Sequence, residues 1–268
     1  MAQKTIAIAG LGTIGRKIAL WLRDQNDGLK LTAVCSGDAA KATAWLKEQR
    51  LAVPVVSAED LPRHAEIIVE AAPAAAFAAI VRPALEAGRT VMVLSSSALL
   101  MHDDLIAVAG ARGGRIIVPT GALLGLDAVV AAAEGTIQRV RMVTRKPPRG
   151  LDGAPFLKQH GIDMAKITSP TRVFAGSARE AAAGFPANVN VAATLSLAGI
   201  GPDRTEVEIW ADPTVTRNIH RITVEADAAN FTMEIEGVPS ENPKTGRLTP
   251  LSMIAALKRL TAPLVIGT

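Results

Sequence analysis

With 268 residues, 49% of them hydrophobic and 20% charged, the chain carries enough apolar surface for more than one core, which excludes a disordered protein. Its net charge of +4 is scattered and only 3% of residues are aromatic, which excludes the basic stripe or stacking platform of a nucleic-acid binder and leaves either attraction for an anionic small molecule or a plainly solvated surface. The lone Cys35, four scattered histidines and apolar runs well short of the roughly 20 residues that span a bilayer exclude an internal disulfide, a metal centre and a membrane helix, so a cytoplasmic protein is expected.

In chain order, Thr5 to Ala9 is a short apolar run, and Gly10-Leu11-Gly12-Thr13-Ile14-Gly15 leads from it into Arg16 to Arg23, whose apolar spacing is helical. A strand starting at Thr5 leaves no room for a secretory signal ahead of it. Leu29 to Cys35 reads as a strand, Ala39 to Glu48 as a helix and Ala65 to Ala71 as a buried strand; helix Ala75 to Ala87, strand Thr90 to Leu94, helix Asp103 to Arg112 and strand Arg115 to Val118 continue the alternation. Such alternation predicts a parallel sheet, because parallel neighbours need crossover connections. After Pro119 the rhythm changes. Ile137 to Lys146 reads as a strand, Pro147 to Pro170 as a long loop with room for one helical turn, Ser177 to Ala183 and Asn190 to Ala198 as helices, and Thr205 to Trp210, Ile219 to Ala226 and Phe231 to Ile235 as closely spaced strands. The expected fold is α/β: a Rossmann dinucleotide-binding domain over 1–119, then an α+β domain with a mainly antiparallel sheet over 120–248, with a C-terminal helix in 249–268 packing back on the first.

A glycine-rich turn between a first strand and a helix aims backbone N–H groups and the positive helix end at a pyrophosphate. Gly10 permits the tight turn, Gly12 removes a side chain that would block the phosphates, Gly15 lets helix and strand approach, and Thr13 and Ile14 lie within the turn. NAD or NADP is therefore the expected cofactor. At the end of the second strand Asp38 could bind the ribose 2'-hydroxyl, or Ser36 with Lys41 could accept a 2'-phosphate. Glu70 and Ser95 to Ser97 fall at later strand ends, where ligands of open α/β sheets gather, although Glu70 could equally be a strand-end cap.

Polar chemistry in the second half is concentrated in Gly121-Ala122 with Gly125 and Asp127, Arg145-Lys146-Pro147, Gly176 to Ala181, Asn188 to Leu195, Ala211-Asp212-Pro213, Asn218-Ile219-His220 and Asn242-Pro243-Lys244-Thr245. Taken together, these segments resemble the L-aspartate dehydrogenases over nearly the full length. The resemblance implies NAD(P)-dependent oxidative deamination of L-aspartate to oxaloacetate and ammonia through iminosuccinate, with His220 catalytic and Ala122 and Asn190 on the cofactor. Where relatives carry Ser-Val-Gly-Ala-Leu, this chain has Ser95-Ser96-Ser97-Ala98-Leu99, a departure that leaves room for a reductase of another dicarboxylate or imine. A dinucleotide sensor without turnover is the remaining reading.

Histidine exchanges protons near neutral pH, which suits both removal of the amine proton and activation of water for imine hydrolysis. Without the resemblance, His220 reads as a strand residue with a satisfied ring. The two carboxylates of aspartate need cationic or amide partners. Lys146, Lys244 and Asn188 are assigned to the substrate, with Arg145 and Arg217 as further candidates by proximity. Asn188 and Asn190 could instead hold the cofactor carboxamide or cap the helix that follows. The exposed face of the sheet from Thr205 to Ile235 is the expected surface of a homodimer.

Overall fold

The apolar run at the N-terminus forms β1 (Lys4–Ala9), in which Ile6, Ala7, Ile8 and Ala9 are fully buried, as a strand covered on both faces requires. The computed structural model describes residues 3–25, 28–239 and 246–267. The chain divides into two compact units: one runs to Ser95 and adds His102–Pro119 and Pro250–Val265, and the other holds Ser96–Met101, Thr120–Thr249 and the chain end.

In the first unit β1 is followed by α1 (Thr13–Arg23), β2 (Leu29–Cys35), α2 (Ala39–Glu48), α3 (Leu61–His64), β3 (Ile67–Glu70), α4 (Phe77–Glu86) and β4 (Thr90–Val93). The chain passes through α5 (Ser96–Leu100), which belongs to the second unit, and returns as α6 (Asp104–Arg112) and β5 (Arg115–Ile117). All four strand pairings are parallel, in the order β2-β1-β3-β4-β5. The order reverses beside β1, so the carboxyl ends of β1 and β3 flank the crevice at which open α/β sheets take ligands. Ile18, Ala19 and Leu22 of α1 pack on this sheet, in one apolar cluster with Met253 and Leu257 of the last helix.

The second unit continues with α7 (Leu126–Ala133), β6 (Ile137–Lys146), α8 (Pro155–Gln159), β7 (Thr171–Ser177), α9 (Ala178–Gly184), α10 (Asn190–Ala198), β8 (Glu206–Ala211), β9 (Asn218–Ala226) and β10 (Asn230–Gly237), and the chain then enters α11 (Leu248–Arg259). Its sheet runs β10-β9-β6-β8-β7, antiparallel except for the parallel β6–β8 pair. Period-two alternation sorts the residues. Val140, Met142, Val207, Ile209, Ile222 and Val224 enter the core, with Val129, Ala181, Ala192 and Leu195 from the helices. On the opposite face Arg139 pairs with Glu206 at 2.7 Å and Arg141 with Glu208 at 2.6 Å.

Strand β7 and helices α3, α5 and α7 depart from the sequence expectation. Strand β7 follows the expected loop and takes in Ser177, the expected first residue of the next helix; a register shift between Arg172 and Phe174 leaves Val173 and Phe174 both buried, so the alternation that signals a strand is missing. The helix after it starts where Ser177 accepts from the Glu180 backbone and Glu180 reaches back to Ser177 N at 2.7 Å, a capping box. Helices α5 and α7 were not expected: α5 is only five residues and wholly buried, too short to show a period.

Candidate active site

In the first unit the glycine turn is made of backbone. Gly10 has φ +99°, and a Cβ there would collide with the Ala71 carbonyl; a Cβ on Gly15 would collide with the Gly10 carbonyl. Both positions are closed to any side chain for reasons of folding. Gly12 differs, since a Cβ there would meet nothing within 4 Å, and it is the N-cap of α1 without a side-chain hydrogen bond. The first turn, with Thr13 and Ile14, carries no acidic residue, which with the open space at Gly12 fits a pyrophosphate.

Around that turn, Ser36 accepts a 3.4 Å bond from the Asp38 backbone. Asp38 caps α2 through Lys41 N at 2.9 Å and pairs with the Lys41 ammonium at 3.3 Å, and the Lys41 backbone amide chiefly holds its carboxyl below the usual range. Glu70 is buried and accepts from Ala72 N, Leu94 N, Ser95 N and Ser95 Oγ at 3.0 to 3.2 Å. Burial pushes its pKa up while those donors pull it back. With every lone pair used, Glu70 is the strand-end cap, tying the ends of β3 and β4 together.

In the second unit the strands bring distant side chains to one place. Thr144 and His220 are register partners on β6 and β9, with Thr144 Oγ1 3.1 Å from His220 Nδ1. Both are buried, as is Lys146 two residues along the same face of β6. The Lys146 ammonium donates to the backbone carbonyl of Asn188 at 2.7 Å and has no acidic partner among the described residues. Burial alone lowers its pKa from 10.5 to about 8. Burial, then the Lys146 charge, lowers His220 from 6.5 to about 3, so its ring is neutral at pH 7. Asn188 Oδ1 is buried without a hydrogen-bond partner among the described residues, an acceptor able to receive a donor.

Neither asparagine caps α10: its N-cap is Val189, and no side chain bonds there. Asn190 instead accepts at Oδ1 from Ser97 N at 3.0 Å and Ser97 Oγ at 2.5 Å. Ala122 is the third residue of a turn closed by Leu123 N to Thr120 O at 3.0 Å. Arg145 is engaged by the buried Asp212 and Arg217 by Glu236, so the other arginine candidates already have carboxylates. Lys244 lies outside the described residues. Thr144, in contact with the His220 ring, is the member of this buried cluster that sequence reasoning passed over, though its alternation with Met142 and Lys146 was the available signal. Among the described residues no cluster suited to a metal ion occurs and no helix is long and apolar enough to cross a membrane.

Comparison with known proteins matches residues 10–119 to the NAD binding domain of homoserine dehydrogenase and residues 127–260 to the C-terminal domain of aspartate dehydrogenase. The chain is 57% identical to an L-aspartate dehydrogenase of Bradyrhizobium diazoefficiens, over 100% of this chain and 95% of the relative. It is 53% identical to L-aspartate dehydrogenase 3 of Bordetella bronchiseptica, over 98% and 97%. The crystal structure of aspartate dehydrogenase from Thermotoga maritima superposes with a TM-score of 0.74 at 26% identity, covering 98% of this chain and 99% of that one.

Proposed function

Because the chain belongs to the L-aspartate dehydrogenase family, we propose that His220, Lys146 and Asn188 handle the proton, one carboxylate and the amino group of L-aspartate in the reaction it carries out. That reaction is the reversible, NAD(P)-dependent oxidation of L-aspartate through iminosuccinate to oxaloacetate and ammonia. The dinucleotide, when bound, supplies the hydride acceptor. Gly10, Gly12, Thr13, Ile14 and Gly15 hold its pyrophosphate, Ser36 its ribose, and Ala122 and Asn190 complete its contacts.

The observation that carries this reading is the buried ammonium of Lys146, whose only partner among the described residues is a neutral carbonyl. A buried cation is costly without an anion, and a substrate carboxylate supplies one. Asn188 Oδ1, lacking a donor, fits an N–H of the substrate amine. His220 is neutral and therefore able to accept a proton, but a base with a pKa of about 3 holds one poorly, since general bases work best near the ambient pH. Burial, the larger depressing cause, stays when substrate binds, but the second is relieved: a carboxylate on Lys146 offsets that charge, and its negative field favours the imidazolium. In the tautomer whose Nδ1–H donates to Thr144 Oγ1, which this role requires, Nε2 is the base that takes the amine proton and later activates water.

The test is aspartate-dependent formation of NAD(P)H in wild type and His220→Ala, with NADH affinity measured alongside. Turnover is expected to drop by roughly 100- to 10,000-fold at unchanged NADH affinity, and near-normal turnover would remove His220 from the chemistry. We also read the charged outer face of the second sheet as a homodimer surface. Arg139, Arg141, Glu206 and Glu208 alternate there around the half-buried Val143 and Trp210, a pattern able to complement its own two-fold copy. Sizing in solution checks it. The free Cys35, its thiol pKa raised by burial, suits a reducing cytoplasm.

A further inference from the structure

The triplet Ser95-Ser96-Ser97 separates into two tasks. Ser95 bonds Glu70, whereas Ser96 and Ser97 open α5 and turn to α10. Ser96 Oγ donates to the Asn190 carbonyl at 2.8 Å and receives Thr194 Oγ1 at 2.9 Å. Ser97 sends both its backbone N–H and its hydroxyl to the Asn190 side chain, the hydroxyl also lying 2.8 Å from the Pro186 carbonyl. Both serines are 1% exposed.

A backbone N–H only donates, so the Asn190 atom it meets must be the oxygen; the amide orientation is thereby fixed by chemistry. Oδ1 is held by the Ser97 backbone N–H, with the Ser97 hydroxyl, whose single hydrogen it shares with the Pro186 carbonyl, beside it. What remains is Nδ2, which has no partner among the described residues on a half-buried side chain. We infer that Ser97 is a positioning residue that locks the Asn190 amide so that Asn190 meets the bound dinucleotide as a hydrogen-bond donor only, directed at the acceptor oxygen of its nicotinamide carboxamide. This rests on the reading of Asn190 as a cofactor contact. It also gives the Ser-rich departure a role inside the scaffold and removes it as support for a different substrate.

NADH affinity by fluorescence titration, independent of turnover, separates the possibilities. Asn190→Ala removes the donor, whereas Asn190→Asp is nearly isosteric, keeps an oxygen for Ser97 and turns the outward group into an acceptor. Asn190→Ala is expected to weaken NADH roughly 10-fold and Asn190→Asp more severely. Ser97→Ala, which keeps the backbone donor, is expected to weaken NADH about 3- to 10-fold by freeing the amide, with kcat at saturating cofactor nearly unchanged and a moderate fall in Tm from the buried acceptors left without the hydroxyl. With thio-NADH, whose C=S accepts poorly, the gap between wild type and Asn190→Ala closes. If Asn190→Ala leaves NADH affinity intact, the cofactor reading itself fails. If it weakens binding but Asn190→Asp is no worse, or the gap persists with thio-NADH, the donor-only inference is overturned and the cofactor reading stands.

Discussion

Each unit buries a charge at the last residue of a strand, Glu70 in the first and Lys146 in the second, and these two are treated in opposite ways. Glu70, closing β3, receives four donors on its two oxygens; Lys146, closing β6, has a single neutral carbonyl. A satisfied buried charge is fixed in place and holds chain segments together, whereas an unsatisfied one waits for a ligand. The same contrast separates the groups proposed to bind in each unit: in the first they are backbone N–H groups of one contiguous turn, closed to side chains at Gly10 and Gly15, and in the second they are side chains drawn together from positions 144 to 220.

Substitutions that act on one side of this contrast sharpen it. In the glycine turn, Gly15→Ala forces a methyl against the Gly10 carbonyl and is expected to cost more than about 3 kcal/mol of stability, read as a large fall in Tm with loss of NADH binding. Gly12→Ala meets no protein atom within 4 Å. It is expected to retain Tm yet lose roughly 100-fold in NADH affinity, because only the ligand is displaced; equal falls in Tm for both variants would contradict a purely ligand-directed role for Gly12.

For the buried charges the expected signs differ. Holding Lys146 at about 8 instead of 10.5 corresponds to about 3 kcal/mol of destabilisation at pH 7. Lys146→Met, which also forfeits a hydrogen bond worth about 1 kcal/mol, should therefore raise stability by about 2 kcal/mol while weakening aspartate. Between pH 8 and 10.5 the unfolded chain keeps the lysine proton and the folded chain has released it, so wild-type stability climbs with pH and the variant's advantage fades across that window. Denaturant titrations at pH 7 and 10.5 check it. Glu70→Gln instead sets an amide N–H₂ against backbone donors and is expected to destabilise by about 1 to 3 kcal/mol. A stabilising Glu70→Gln or a destabilising Lys146→Met would erase the distinction between capped and waiting charge.

The legibility of the two halves follows the same division. Backbone recognition is local, so Gly10, Gly12 and Gly15 show in six consecutive residues, and the parallel order of the first sheet follows from alternation. Side-chain recognition depends on register. The inward face of β6 is written as Val140, Met142, Thr144 and Lys146, but a lysine at a strand end ordinarily leans into solvent, so its burial emerges only once β8 and β9 flank it. His220 lies among Ile222 and Val224 on β9 and would read as a core histidine without the surrounding motifs. Strand β7 escaped because its bulge hides the period, and the link from Ser97 to Asn190 spans 93 positions that no local pattern connects.

The account stands on Lys146 receiving a substrate carboxylate, and succinate, which cannot be oxidised at an amine, probes this directly. Calorimetric titration of the NADH-bound enzyme with succinate at pH 8, in two buffers of different ionisation enthalpy, counts protons taken up on binding. With Lys146 half protonated at that pH, wild type should take up roughly half a proton as the anion raises the lysine pKa, and Lys146→Met should bind more weakly with that uptake gone. Equal affinity and equal proton uptake in the two proteins would contradict the account.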